Sequence, residues 1–105
     1  MYQDLDIQGF QEQFANNPDA DYVLIDVREV EEFEQGHIPG AINIPLNSVP
    51  GHLSDIATDK PVVLVCARGG RSAMAADYLA GNGYENLFNL EGGTLAWMMR
   101  GLPME

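Results

Sequence analysis

Four short apolar segments, separated by polar or glycine-containing stretches, dominate the pattern along this chain. Each is rich in large or β-branched apolar residues and is too short for a typical helix, which indicates a strand. The predicted strands are 22–26, 41–44, 62–66 and a strand within 85–90. Between them, apolar residues at helical spacing predict helices over 5–16, 29–35, 70–80 and 94–100, and a weakly helical stretch over 48–56. Strands that alternate with helices indicate an α/β fold with a mainly parallel sheet.

The same pattern predicts which side chains of the helices face the core. In the first helix one face is apolar, and Asn16-Asn17-Pro18 is expected to end the helix. The residues expected to face inward are Ile7, Phe10 and Phe14 in the first helix and Val30 and Phe33 in the second. In the last helix, Trp97, Met98 and Met99 are expected to be core and helix-face residues.

Composition narrows the class of protein. A chain of 105 residues with 46% hydrophobic and 20% charged residues fits one globular domain, here 1–105. Sixteen acidic residues against five basic ones give a net charge of −11, which argues against nucleic acid and anionic membranes as partners. The longest apolar run, 62–67, is too short to span a bilayer, and the N-terminus does not read as a signal peptide. With one cysteine there is no internal disulfide, so we expect a cytoplasmic protein.

The single cysteine, Cys66, follows the most apolar predicted strand and precedes a glycine-containing loop and a helix. Backbone N–H groups of such a loop, together with the positive end of the helix, converge on one point. Arg68 and Arg71 are two of the five cations of this acidic chain, and both lie in the loop. A thiol at that point is expected to have a pKa below that of a free cysteine and to face an anion site.

Several chemistries are compatible with this segment. A lone cysteine is often only a small buried hydrophobe, and the arginines could be solvated surface residues. As a nucleophile, the thiolate could attack the sulfane sulfur of a donor such as thiosulfate, leaving a persulfide, or attack phosphorus, leaving a thiophosphate. A cysteine phosphatase surrounds phosphate with Cys-x5-Arg, whereas only four residues, 67–70, separate Cys66 from Arg71. The shorter loop favours a single sulfur atom. One cysteine and two scattered histidines, His37 and His52, predict no metal site, and nothing indicates a cofactor.

Three segments in a fixed order resemble the signatures of one known family. They are Asp26-Val27-Arg28-Glu29 with Glu32-Phe33 and 36–45, then Cys66-Ala67-Arg68-Gly69-Gly70-Arg71-Ser72, then Leu90-Glu91-Gly92-Gly93 with Ala96-Trp97. Together they cover nearly the whole chain and resemble a single-domain rhodanese, a thiosulfate sulfurtransferase. The resemblance implies a five-stranded parallel sheet flanked by helices on both faces. It also implies that Asp26 and Arg28 form a structural ion pair and that His37 belongs to the fold signature.

The resemblance implies a persulfide on Cys66, with substrate bound by Ala67, Arg68, Gly69, Gly70, Arg71 and Ser72. Members that favour thiosulfate often carry a basic residue directly after the cysteine, where this chain has Ala67. The expected partners are a small anionic sulfur donor and a thiol or cyanide acceptor, with a sulfur-accepting protein as a further candidate. The alternatives are a persulfide carrier or regulatory module serving a partner protein and, disfavoured by loop length, a small cysteine phosphatase or arsenate reductase.

Overall fold

The computed structural model describes all 105 residues and contains a five-stranded sheet in the order β1-β5-β4-β2-β3. Its strands are β1 (Gln3–Leu5), β2 (Val23–Asp26), β3 (Ile42–Asn43), β4 (Val62–Val65) and β5 (Leu87–Leu90). Every pairing is parallel, so the carboxyl ends of all five strands lie at one edge of the sheet. The α/β fold with a parallel sheet is confirmed.

The helical elements are short, apart from the one that follows β4. They are α1 (Ile7–Phe10), continued by a π-helical turn (Gln11–Ala15), then α2 (Val30–Glu34), a 3-10 segment (Leu46–Asp55), α3 (Gly70–Ala80) and α4 (Gly93–Met99). No helix is both long and apolar enough to cross a membrane.

Apolar side chains from both faces of β4 form two separate cores. Val62 and Leu64 belong to a cluster that includes residues of α3 and the 3-10 segment, whereas Val63 and Val65 belong to one that includes residues of α1 and α4. All four side chains are at most 1% exposed. A strand buried on both faces explains the continuous apolar run of the sequence, and helices cover both faces as expected.

Strand β1 is absent from the sequence prediction, which began a helix at residue 5. Of its three residues only Leu5 is buried, so the strand carries no alternating pattern from which it could be recognised. The helix begins after Asp6, whose side chain accepts a hydrogen bond from the Gly9 N–H at 2.7 Å. An N-cap of this kind fixes the start of α1 and leaves residues 3–5 free to pair with β5.

Three side chains expected to lie in the core or on a helix face are more exposed than a core position allows. Val30 is 47% exposed, so its predicted inward orientation is wrong, and Met98 and Met99 are 50% and 81% exposed. Helix α2 has only five residues, and none of them is buried. Polar contacts hold it in place, since its Glu32 carboxylate accepts two hydrogen bonds from Arg71. Trp97 is 4% exposed and lies in the core as expected.

Asp26 and Arg28, at the end of β2, form a buried ion pair. The Arg28 guanidinium donates to both carboxylate oxygens of Asp26 at 2.8–3.0 Å and also to the carbonyl of Gly36 at 2.8 Å. The pair therefore fastens the segment after α2 to the edge of the sheet. None of these hydrogen bonds reaches the loop after β4.

Candidate active site

Cys66 lies directly after β4, at the carboxyl edge of the sheet, and is 2% exposed. It forms part of the wall of an open depression of about 330 Å³ that is lined by Cys66, Ala67, Arg68, Gly70 and Arg71. In parallel sheets this edge is the usual place for ligands. Cys66 is thus almost fully buried and borders a space large enough for a small anion.

Hydrogen-bond donors of the loop surround the sulfur. The Gly69 N–H lies 3.0 Å from Sγ and the Ser72 hydroxyl oxygen lies 3.4 Å from it. Burial raises the pKa of the Cys66 thiol, but hydrogen bonds from the Ser72 hydroxyl and from the backbone amides of Ser72, Gly69 and Arg68 outweigh it and lower the pKa overall. Donors that stabilise a thiolate also stabilise any negative sulfur attached to it.

The first turn of α4 holds the loop in this orientation. The N–H groups of Thr94 and Leu95 donate to the carbonyl oxygens of Cys66 and Ala67 at 2.9 and 3.0 Å. In a trans peptide the C=O and N–H point in opposite directions, so fixing the Ala67 carbonyl turns the next N–H, that of Arg68, toward the sulfur. Gly93 makes the approach possible, because its φ is +58° and a Cβ there would collide with the Cys66 and Ala67 carbonyl oxygens.

The two arginines of the loop differ in their environment. Both terminal nitrogens of Arg71 donate to the Glu32 carboxylate of α2, at 2.7 and 3.1 Å. The Arg71 hydrogen bond lowers the pKa of Glu32 to about 2, and the same contact raises the pKa of Arg71. Arg68 is exposed and forms no ion pair within the protein. Of the two cations that the sequence placed at the site, one is therefore already matched by a carboxylate.

Three further residues near the site were not identified from the sequence: Asn89, Asp4 and Glu32. Ser72 Oγ lies 2.5 Å from Asn89 Oδ1, and Asn89 Nδ2 donates to Asp4 Oδ1 at 3.1 Å. Asn89 is only 5% exposed and stands within the apolar strand β5. A polar residue in such a strand is a signal that could have been noticed. Glu32 belongs to the first of the three family segments, but nothing local links it to Arg71, and nothing local distinguishes Asp4.

The two histidines lie apart from Cys66. His37 stacks on Phe33 with 3.8 Å between ring centroids, and its Nδ1 lies 3.1 Å from the Phe33 carbonyl oxygen. His52 Nδ1 lies 2.8 Å from the Ser48 carbonyl oxygen. The structure contains no group of three or more His, Cys, Asp or Glu side chains arranged to hold a metal ion.

Comparison with known proteins agrees with this geometry. Residues 10–100 match the rhodanese-like domain family, so the chain belongs to that family. A sulfurtransferase of Allochromatium vinosum is 36% identical over 104 residues, covering 99% of this chain and 95% of the relative. The thiosulfate sulfurtransferase GlpE of Pseudomonas syringae pv. syringae is 37% identical over 75 residues, which is 71% of each chain.

Two further matches extend the comparison. A putative sulfur carrier protein of Bacillus subtilis, YrkF, is 35% identical over 88 residues, covering 82% of this chain but only 48% of the relative. The crystal structure of a rhodanese-related protein from Thermoplasma volcanium superposes with a TM-score of 0.87 at 31% identity, covering 99% of this chain and 98% of that one. Proteins named as sulfurtransferases and one named as a putative sulfur carrier are thus similar to this chain in sequence.

Proposed function

We propose that this protein is a sulfurtransferase that carries sulfane sulfur from thiosulfate, or a related anionic donor, to a thiophilic acceptor through a persulfide on Cys66. The observation that carries the proposal is the position of the Cys66 sulfur, held by the Gly69 N–H and the Ser72 hydroxyl beside the open depression. The family membership and the sulfurtransferase relatives support it.

In the first step, the Cys66 thiolate attacks the outer sulfur of thiosulfate. A new S–S bond forms to Cys66, the S–S bond of thiosulfate breaks, and sulfite leaves with the electron pair. Arg68 attracts the dianion, and the main chain of Ala67, Gly69, Gly70 and Ser72, with Arg71 beside it, surrounds the transferred sulfur. Hydrogen bonds of the loop lower the pKa of Cys66 and so favour the thiolate, the form that attacks without a separate general base.

In the second step, cyanide or a thiolate attacks the terminal sulfur of the persulfide. With cyanide, a C–S bond forms, the persulfide S–S bond breaks, and thiocyanate leaves while Cys66 returns as the thiolate. The loop amides stabilise negative charge on sulfur in both steps, in the manner of an oxyanion hole. No net oxidation takes place, so the cycle needs no redox cofactor.

The test is intact-mass spectrometry of the protein before and after incubation with thiosulfate, and again after cyanide. We expect a gain equal to one sulfur atom, located on Cys66 by fragmentation, which cyanide removes. The matched control is Cys66→Ser, which keeps a hydroxyl in place of the thiol. Absence of the gain, or an equal gain on Cys66→Ser, would refute the proposal.

A second function, that of a persulfide carrier fed by a partner protein, is favoured by one observation. Arg71 is bound to Glu32, so Arg68 is the one loop cation without a carboxylate partner. A single unpaired cation makes a weak binding site for a free dianion. The similarity to a putative sulfur carrier supports the same reading. The two functions differ in how strongly thiosulfate use depends on Arg68.

Phosphatase or arsenate reductase activity has less support. Phosphate recognition favours bidentate contacts from an arginine, and both terminal nitrogens of Arg71 are already bound to Glu32. Only four residues separate Cys66 from Arg71, which leaves a smaller loop for a tetrahedral oxyanion.

A further inference from the structure

A row of three polar side chains, Ser72, Asn89 and Asp4, runs from Cys66 to the edge strand β1, and none of them lines the open depression. Ser72 is completely buried and its hydroxyl oxygen lies 3.4 Å from Cys66 Sγ and 2.5 Å from Asn89 Oδ1. Asn89 in turn donates from Nδ2 to Asp4. The register of the sheet creates this arrangement, because Asp4 of β1 is paired directly with Asn89 of β5.

The Ser72 hydroxyl has one proton and two neighbouring acceptors, so it cannot satisfy both at once. At 2.5 Å, the contact with Asn89 Oδ1 is at the short end of O–H···O hydrogen bonds, and the 3.4 Å contact with the larger sulfur atom is an ordinary one. If the proton turns to the sulfur, two oxygen atoms face each other at 2.5 Å with no proton between them. Asn89 therefore competes with Cys66 for the proton of Ser72.

Asp4 determines which end of the Asn89 amide faces Ser72. An ionised carboxylate only accepts hydrogen bonds, so it selects the NH2 end of the amide and leaves the oxygen directed at Ser72. We infer that Asp4 and Asn89 are positioning residues for Cys66: Asp4 holds the Asn89 oxygen toward Ser72, and the resulting competition for the Ser72 proton weakens the hydrogen bond from Ser72 to the Cys66 sulfur.

When Asp4 is replaced by a residue that accepts no hydrogen bond, the Asn89 amide is free to rotate and to donate from Nδ2 to Ser72 Oγ. The Ser72 hydroxyl then has a partner on that side, and its proton is available to the Cys66 thiolate. The row of Ser72, Asn89 and Asp4 thus limits how far the pKa of Cys66 is lowered. This suits a site that must both hold a persulfide and release it.

Other charged groups also influence the pKa of Cys66. The test must distinguish their influence from that of the Ser72 proton. Arg68 and Arg71 lie on the side of the depression, and Glu32 of α2 is bound to Arg71. From β1, Asp4 itself contributes a negative charge, whose removal would favour the thiolate even without a rotated amide. The lost charge would act with or without the Ser72 hydroxyl, whereas the redirected proton acts only when the hydroxyl is present.

The experiment is a double-mutant cycle of Asp4→Ala, which removes the acceptor, and Ser72→Ala, with the Cys66 pKa measured from the ultraviolet absorbance of the thiolate and from the pH dependence of iodoacetamide alkylation. We expect Asp4→Ala to lower the midpoint by about 0.5–1 unit, the size expected of one hydrogen bond. In the Ser72→Ala background only the lost charge remains to act, so Asp4→Ala should lower the midpoint clearly less. Asp4 is exposed, so the single variant is expected to fold, and a thermal melt checks this.

An unchanged midpoint in the Asp4→Ala variant would overturn the inference. An equal shift with and without the Ser72 hydroxyl would also overturn it, because the cause would then be the lost charge alone. The inference rests on the proposed role of Cys66 as a nucleophile, but alkylation does not involve sulfur transfer. A failure of this cycle is therefore distinguishable from a failure of the persulfide experiment.

Discussion

Arg68 and Arg71 show that two identical side chains three positions apart can have different chemical environments. Arg71 is held between α2 and α3 by a bidentate contact with Glu32, and about a third of its side chain is exposed. Arg68 has no such partner and lies at the edge of the depression. At the scale of single residues, Arg68 is the cation that can respond to an anionic donor without first losing an ion pair.

We therefore predict that Arg68→Gln lowers kcat/KM for thiosulfate by about 10- to 150-fold, the effect of losing one charge-assisted contact. Alkylation by neutral iodoacetamide should change much less, since it needs no anion site. Arg100→Gln is the matched control, because it removes the same charge from an exposed position beyond α4. Steady-state rates and alkylation rates on the same preparations provide the measurement.

If Arg68→Gln uses thiosulfate as well as the wild-type protein, the free dianion is not captured at this site. The persulfide carrier would then be the better description of the protein.

At the scale of elements, the loop after β4 depends on α4 as much as on its own sequence. Two N–H groups from the first turn of α4 bind the loop carbonyls, and Gly93 allows the two chains to come this close. The contact joins residues 66 and 67 to residues 94 and 95, so the geometry around the sulfur is a property of two elements together.

Gly93→Ala should accordingly reduce both stability and the reactivity of Cys66. The left-handed conformation costs a non-glycine residue about 1–2 kcal/mol, and the collision with the loop carbonyls adds about 1–3 kcal/mol. Gly101→Ala is the control, because Gly101 also has a positive φ but a Cβ there meets nothing within 4 Å. Denaturant unfolding and alkylation rates should show both losses for Gly93→Ala and only the conformational cost for Gly101→Ala. Equal behaviour of the two variants would mean that the close approach of α4 has no influence on the loop.

At the scale of the whole molecule, the net charge of −11 opposes the local attraction of Arg68 for anions. The molecule measures 35 × 31 × 19 Å. At about 0.01 M salt the screening length is about 30 Å, so the repulsion of the entire acidic surface reaches an approaching anion. At about 0.1 M it falls to about 10 Å, and only the charges close to the site remain effective.

The rate of Cys66 alkylation by iodoacetate, divided by the rate with neutral iodoacetamide, should therefore rise as salt increases over this range. The division removes any effect of salt on the thiol itself. The rise should be larger in Arg68→Gln, which has lost the local attraction but keeps the long-range repulsion. A ratio that falls with salt in the wild-type protein would show that the field of the site, and not that of the whole surface, governs the approach of anions.

Much of the fold can be predicted from the sequence because its signals are local. The run from Val62 to Val65 is apolar throughout since both faces of β4 are buried, and Cys66 follows it directly. The helix predicted over 70–80 has the observed bounds, and the segments around Asp26, Cys66 and Gly92 are sufficient to recognise the family. Each of these features is set by neighbours within a few positions along the chain.

The remaining features depend on contacts between distant parts of the chain. Strand β1 exists because β5 offers it an edge, and the pairing brings Asp4 to Asn89 across 85 residues. The contact of Glu32 with Arg71 spans 39 residues and determines which loop arginine is free. The sequence by itself determined where the lone cysteine stands in the chain and which residues follow it. Only the tertiary structure decided which polar groups reach it, because side-chain pairing at the sheet edge depends on strand order and register, which no local pattern encodes.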